Sequence, residues 1–270
     1  MIFALCGGDG RALRLAAQLL GDGHAVRAWA LDDAGLPEGV RRCRTAAECV
    51  SDADCVVLPL PAVKQRGFLN APLSARPRCL AALAAALPEG ALVCAGNVTR
   101  ELRELCEARA ARLRDYAALE SFRAENSLAT AEGAIGVLLG ETEGVLCGAS
   151  ALIIGAGRIT RALAPRLAAL GLRVTVASRS EASRAWARAA GLSAAPSDAL
   201  TPVLPGAELV INTAPALVLT APRLTALPDG ALVLDLASAP GGVDLDAARA
   251  FGIRCAAAPG LPGKWSPEAA

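Results

Sequence analysis

Two stretches of this 270-residue chain share one grammar. Residues 6–30, CGGDGRALRLAAQLLGDGHAVRAWA, and residues 154–178, IGAGRITRALAPRLAALGLRVTVAS, each leave an apolar strand through a glycine turn. Each then runs through an amphipathic helix and a further glycine into another apolar strand. Strands separated by helices cannot pair through tight hairpins; they fold as βαβ units, and such units build parallel sheets. The same alternation continues outside the two stretches. It predicts strands at Ile2–Cys6, Ala25–Leu31, Cys55–Leu58 and Ala91–Ala95, then at Ala151–Ile154, Arg173–Ala177, Leu209–Asn212, Ala231–Leu234 and Ile253–Ala256. Helices are expected between them, at Ala12–Leu20, Ala75–Leu87, Ile159–Leu170 and Ser180–Ala190, among others.

The fold expected is therefore α/β, with two doubly wound Rossmann-like domains, each on a parallel sheet, and a cleft between them. At ~150 residues per domain the length agrees. The boundary falls between Asp115 and Asn126, giving an N-terminal substrate domain over residues 1–120 and a nucleotide-binding domain over 121–270. The segment SLATAEGAIGVLL (127–139) reads as a helix near the crossover, with Ser127 or Thr130 as its cap.

Composition removes several classes. Hydrophobic residues make up 54%, enough for a large core. No apolar run reaches the ~18 residues of a membrane span, and the first residues lack the basic start of a secretory signal. The net charge of +1, without a basic run, argues against nucleic acid as a partner. The nine cysteines include no C-x-x-C pair, so they read as reduced core thiols of a cytoplasmic protein, with no metal. Only two of the 27 basic residues are lysines, Lys64 and Lys264. A lysine kept in so arginine-rich a chain suggests a place where a compact ammonium is needed.

The second glycine turn has the setting of a dinucleotide site. Gly155 permits the tight turn, and Gly157 lets the backbone approach a pyrophosphate at the start of a helix opened by Arg158 and Ile159. The third position of the G-x-G-x-x-G pattern is Thr160, which implies a slightly wider fit of helix on strand. After the next strand an NAD site would place a carboxylate for the ribose. Here stand Ser178, Arg179 and Ser180, a set that suits a 2′-phosphate, so the cofactor expected is NADP. In the first turn Asp9 would repel a pyrophosphate, although Asp32 and Asp33 stand near its ribose position. The first half is therefore assigned to substrate.

Catalytic chemistry is sparser. The one histidine, His24, sits in a helix-to-strand turn away from the ligand end of the sheet, which weighs against a histidine-dependent hydroxyacid dehydrogenase. What remains are loops after strands. INTAPA (211–216) would edge the nicotinamide with Asn212, Thr213, Ala214 and Pro215. DLASAPGG (235–242) carries Asp235 and Ala237; AAAPGLPGK (256–264) carries Gly260 and ends in Lys264. From the first half come Arg11 and the loop 58–74, with Lys64, Arg66, Asn70 and Ser74.

Together, in order along the chain, GGDGR, LPLPAVKQRGFLNAPLS, TAEGAI, INTAPALVL, DLASAPGGVD and APGLPGK resemble the family of dipicolinate synthase A subunits. The resemblance implies an NADP-dependent dehydrogenase of sporulating bacteria that forms pyridine-2,6-dicarboxylate from 4-hydroxytetrahydrodipicolinate, paired with the flavoprotein-like B subunit of dipicolinate synthase. A homo-oligomer is a further expectation. The substrate, a cyclic dicarboxylate, needs cationic or hydroxyl partners, for which Lys64, Arg11, Lys264, Ser74 and Thr130 are candidates, with Asn70 and Gly260 beside them. Lys64, Lys264, Glu132 and Asp235 are the candidate catalytic groups. Two departures stand out: Leu128-Ala129 where the family often has Val-Pro, and an end at SPEAA where relatives continue into a helix, so a truncated C-terminus is expected. Alternatives are an NADP oxidoreductase of shikimate or methylene-tetrahydrofolate dehydrogenase type, or a non-catalytic NADPH-binding regulator. A shikimate enzyme would want an aspartate near Lys64, and none is supplied.

Overall fold

A computed structural model describes residues 1–32, 35–238 and 240–265 of the chain. Contacts divide it into two units, the first over Met1–Arg123 and the second from Ala124 onward. The first contains β1 (Ile2–Cys6), α1 (Gly10–Gly21), β2 (Ala25–Trp29), β3 (Arg41–Arg42), α2 (Ala46–Val50) and β4 (Cys55–Val57). It continues with β5 (Val63–Gln65), β6 (Phe68–Leu69), α3 (Leu80–Ala86), β7 (Leu92–Ala95), α4 (Arg100–Glu107) and β8 (Arg112–Asp115). The division falls inside α5 (Glu120–Glu141). The second unit then has β9 (Ser150–Ile154), α6 (Arg158–Ala169), β10 (Arg173–Ala177), α7 (Glu181–Ala189), β11 (Ser193–Ala195) and β12 (Leu209–Asn212). It ends with α8 (Ala221–Leu224), β13 (Leu232–Asp235), α9 (Leu245–Ala250), β14 (Arg254–Ala257) and α10 (Leu261–Trp265).

The strand order is β3-β2-β1-β4-β7-β8 in the first unit and β11-β10-β9-β12-β13-β14 in the second. Counted within each unit this is 3-2-1-4-5-6, and every pair in both sheets is parallel. The two units are thus Rossmann folds, with a switch point between the first and fourth strands where ligands of such sheets bind. Among the described residues no helix is long and apolar enough to cross a membrane.

Alternation along the strands sorts the cores. In the first unit Ala4, Cys6, Val56 and Val93 meet α2, α3 and α4 on one face, while Leu5, Val26 and Ala28 meet α1 on the other. On α1's face Val57, Leu92 and Cys94 stay only half-buried. In the second unit Ile153, Val176 and Ile211 pack against α5 and α6, and Leu152, Ile154 and Val210 against the opposite layer.

Several boundaries differ from the sequence reading. β2 stops at Trp29 because Ala30 takes a left-handed φ of 61°. The helix expected from Ala75 starts at Leu80: Pro77 disfavours helix at the residue before it, and Cys79 instead bridges antiparallel to Phe68 of β6. Neither Ser127 nor Thr130 caps a helix. α5 begins seven residues before Ser127, at Glu120, and the two hydroxyls turn inward to donate to the carbonyls of Ala124 and Asn126. The helix accepts Gly133 and Gly136 because α10 lies on it. A Cβ on Gly136 would stand 2.6 Å from the Trp265 ring, and one on Gly133 would stand 3.1 Å from Leu261.

Candidate cofactor and substrate sites

Each unit has a glycine turn at its switch point, and the two turns differ in what the chain does with their N–H groups. In the second unit Gly155 has φ 105°, which closes the turn from β9, and Gly157 is the N-cap of α6 with no side chain bonded there. The leading amides of α6 are therefore left for an anion, aided by the helix dipole. In the first unit the corresponding cap is Asp9, whose carboxylate accepts from Arg11 N at 3.1 Å. The Gly8 amide is also taken, donating to Asn70 O at 3.0 Å, and the Leu69 side chain lies against Gly7.

The ribose ends contrast in the same way. At the end of β2 the Asp32 carboxylate accepts from Ser74 Oγ at 2.9 Å, from Ala75 N and from the Arg78 guanidinium. Burial alone would push this carboxyl up; the hydrogen bonds and the Arg78 charge outweigh it and hold it below its usual range. So the segment 69–78 fills the first unit's nucleotide crevice from within. Asp33 lies outside the described residues. After β10, by contrast, no carboxylate stands at the strand end. Ser178 Oγ accepts from Ser180 N at 3.2 Å, Ser180 caps α7, and Arg184 holds the carbonyls of Ser178 and Arg179 at 2.6 and 3.0 Å. The loop backbone is fixed while the exposed Arg179 side chain projects from it. That combination fits a 2′-phosphate.

The floor of the second site is a hydrogen-bonded unit that sequence reasoning only partly located. Thr160 is fully buried; its hydroxyl donates to Gly155 O at 3.1 Å and lies 3.2 Å from Thr213 Oγ1, which itself donates to Ile154 O. The residue standing in place of the third glycine thus ties helix, glycine turn and the loop after β12 together. Nothing in the sequence near Thr160 names Thr213 as its partner, since 53 residues separate them. Next to it, Asn212 and Asp235 are buried. Asn212 Nδ2 donates to Asp235 Oδ1 at 2.8 Å and to Ala214 O at 3.0 Å. Asp235 also accepts from Ala237 N and Gly242 N, at 3.1 and 2.9 Å. Both carboxylate oxygens are used. Gly155, Thr213, Asn212, Ala214, Asp235 and Ala237 are therefore brought together, Gly157, Arg158 and Ile159 open the helix beside them, and Pro215 is exposed on the following loop.

The remaining candidates are dispersed. Arg11 forks onto Asp9 (3.0 and 2.9 Å) and reaches Leu60 O at 2.6 Å, leaving Nη1 outside these bonds. It borders a partly open cavity of about 270 Å³ along α1, floored by Leu5 and Leu58 and walled by Tyr116 and Phe122. The Tyr116 hydroxyl, which sequence reasoning missed, donates to Leu58 O at 3.0 Å, and burial pushes its phenol up. Asn70 donates to Pro61 O, and Ser74 serves the Asp32 network. Lys64 is exposed on β5. In the second unit Thr130 is buried inside α5, Glu132 is exposed on the same helix, Gly260 opens α10 with φ 71°, and Lys264 is exposed near its end. His24 is half-buried against the Phe3 ring. No group of three or more metal-ligating side chains occurs among the described residues.

Two family models match separate parts of the chain. Residues 2–117 match the family model of the N-terminal domain of the dipicolinate synthase A subunit, and residues 151–250 match that of the saccharopine dehydrogenase NADP binding domain. The dipicolinate synthase A subunit of Bacillus subtilis (strain 168) is 37% identical over 145 residues, 54% of this chain and 49% of the relative. The aligned region thus spans about half the length of that curated relative. The crystal structure of the dipicolinate synthase A subunit from Bacillus halodurans superposes with a TM-score of 0.85 at 27% identity, over 99% of this chain and 92% of that one. The corresponding dipicolinate synthase structure from Bacillus subtilis gives 0.84 at 27%, over 100% and 91%. The first unit is thus similar to the N-terminal domains of dipicolinate synthase A subunits, the second is an NADP-binding Rossmann domain, and the chain as a whole is similar to the solved dipicolinate synthase A subunits.

Proposed function

We propose that the chain is an NADP-dependent dehydrogenase that forms pyridine-2,6-dicarboxylate from 4-hydroxytetrahydrodipicolinate. The observation that carries the cofactor half of this reading is the contrast between the two helix starts: α6 is uncapped, α1 is capped by Asp9. Gly155, Gly157 and the first amides of α6 would hold the pyrophosphate, with Arg179 and Ser180 at the 2′-phosphate and Thr213 and Ala214 beside the nicotinamide ribose. Held by these residues, NADP would supply the hydride acceptor.

The substrate half rests on the family match of the first unit and on the cations. The conversion removes one water, then a hydride and a proton, and ends in an aromatic ring, so orientation can supply much of the rate. Arg11 offers its Nη1 to a carboxylate while Asp9 and Leu60 O fix its fork; Lys64, Lys264, Ser74 and Thr130 are the further candidates. Asn212 and Asp235 act by holding the loops after β12 and β13, since every polar atom of the pair is bonded. Lys64, Lys264 and Glu132 are the exposed groups left to move a proton. A cytoplasmic role in spore formation, with the flavoprotein-like B subunit of dipicolinate synthase as partner and with self-association, completes the proposal.

A coupled assay tests it. Pyruvate and aspartate semialdehyde with the upstream synthase supply the substrate, and dipicolinate and NADPH are followed together, with and without the flavoprotein-like partner. Equal formation of both is expected. Absence of dipicolinate in the presence of measured NADP binding would overturn the substrate assignment.

A further inference from the structure

Cys55 and Cys94 stand on neighbouring parallel strands, β4 and β7, where Val57 pairs with Cys94. Because side chains alternate along a strand, Cys55, Val57 and Cys94 share one face of the sheet, the face α1 leaves partly uncovered. Their sulfurs are 3.8 Å apart in a thiol–thiol hydrogen bond. The two environments differ. Cys55 is buried, while Cys94 is half-exposed. The hydrogen bond from Cys55 lowers the Cys94 thiol to about 7 against the effect of burial, and the Arg114 charge adds to the shift; the same bond, with burial, drives Cys55 up. One sulfur is thus poised as a nucleophile and its neighbour as a protonated thiol, the arrangement that resolves a sulfenic acid.

We propose that Cys55 and Cys94 form a redox-active dithiol, a site of reversible disulfide formation in the first unit, with a hydroperoxide as the oxidant. The Cys94 thiolate attacks the terminal peroxide oxygen; the S–O bond forms, the O–O bond breaks, and hydroxide leaves from hydrogen peroxide or an alkoxide from an organic hydroperoxide. Cys55 then gives up its proton and attacks the Cys94 sulfur; the S–S bond forms, the S–O bond breaks, and hydroxide leaves with that proton as water. The thiol pair loses two electrons and the peroxide gains them. A dithiol reductant reverses the change. The sulfurs must close from 3.8 Å to ~2.05 Å, and because Cys94 pairs with Val57, two residues along β4 from Cys55, the backbones of β4 and β7 must shift locally along with the side chains. The bond would act beside the loop that receives Arg11, because Leu58 N donates to Cys94 O at 2.8 Å.

The remaining thiols give the contrast. Cys43 and Cys49 are buried, and Cys43 is pushed up to about 12 by burial and by Cys49. The exposed Cys79 and Cys147 have no sulfur bonded to them among the described residues. The full-length reduced protein is treated with a small excess of hydrogen peroxide and analysed by thiol titration and peptide mapping. Titratable thiols should fall from nine to seven, with a linked peptide joining residues 55 and 94. In Cys55→Ala, Cys94 should instead stop at a dimedone-trappable sulfenic acid. The pH profile of Cys94 alkylation should move up in that variant, because the hydrogen bond from Cys55 that lowers the thiol is gone. A link between other cysteines, direct passage of Cys94 to sulfinate in the parent, or an unshifted profile would each overturn the proposal.

Discussion

Arg179 is anchored by its backbone and not by its side chain, and that is what a phosphate-reading arginine requires. Its carbonyl is fixed by Arg184 at 3.0 Å, so the guanidinium extends from a rigid point. Charge-assisted pairing with a 2′-phosphate is lost when the side chain is removed, whereas NAD presents only a hydroxyl. Arg179→Ala should therefore weaken NADP binding by about tenfold or more, ~1.4 kcal/mol, and leave NAD within a factor of two or three. Fluorescence titration with both nucleotides checks this; equal losses would refute the assignment of Arg179 to the 2′-phosphate. Asp235 makes the opposite case, a polar residue with no free atom. Asp235→Ala strands three buried donors, on Asn212, Ala237 and Gly242. At ~1–3 kcal/mol for each unsatisfied group, partly recovered by water, a loss of roughly 3 kcal/mol in unfolding free energy is expected. Urea denaturation measures it. A change under ~1 kcal/mol would mean that the loops do not depend on this carboxylate.

At the level of elements, the helix glycines report a contact. Alanine in place of glycine inside a helix normally stabilises by ~1 kcal/mol. At Gly136 the added methyl would meet the Trp265 ring at 2.6 Å, and since Trp265 is 53% exposed, the ring rather than the helix should give way. Gly136→Ala is expected to keep the unfolding free energy within ~1 kcal/mol of the parent while red-shifting Trp265 emission in a Trp29→Phe, Trp186→Phe background. Unshifted emission would mean that α10 does not dock on α5 through this ring. The same scale shows what the sequence made legible. The continuous apolar runs of β1, β9, β12 and β13 and the two glycine turns stand out because parallel strands are buried on both faces. Three of the four edge strands did not: β3 is Arg41-Arg42, β8 is Arg112–Asp115 and β11 is Ser193–Ala195, each too short or too polar to show a pattern, whereas the fourth, β14, was legible at Ile253–Ala256. The β5–β6 hairpin hides inside a proline-rich loop, and the helix cap was misplaced because Ser127 and Thr130 look like caps until α5 is seen to begin at Glu120. The glycine turn at Gly155 and Gly157 was readable from local chemistry. The Thr160–Thr213 contact and the filling of the first crevice by Asn70 and Ser74 were not, because each joins residues distant in sequence.

Across the whole molecule, the carboxylates that stabilise the folded state are unevenly placed. Asp9, Asp32, Glu48 and Asp52 are all held below their usual range, and all lie in the first unit; in the second unit the one such group among the described residues is Glu181, which is as exposed as Asp52. For Asp9, burial opposes the shift and the Arg11 hydrogen bond and charge outweigh it; for Asp52, the Arg27 hydrogen bond leads and brings it to about 2. A depressed carboxyl contributes stability above its unfolded value, near 3.8 for aspartate, and loses it as pH falls through the folded value. Acidification from about pH 5 toward pH 2 should therefore destabilise the first unit more than the second. The reporters are already in place. Trp29 is buried in the first unit with Arg78 5.3 Å above its ring, and Arg78 is the partner of Asp32, so protonating Asp32 releases the cation over the indole. Trp186, with Arg161 5.2 Å from its ring, reports on the second unit. Two single-tryptophan variants, one keeping Trp29 and one keeping Trp186, followed by thermal melts at pH 7, 4 and 3, should show the Trp29 transition falling further than that of Trp186. Asp32→Asn should lower the Trp29 transition at pH 7 and reduce its pH dependence, since one of the titrating carboxylates is gone. Parallel shifts of both reporters would place the acid-sensitive stability elsewhere than in these ion pairs.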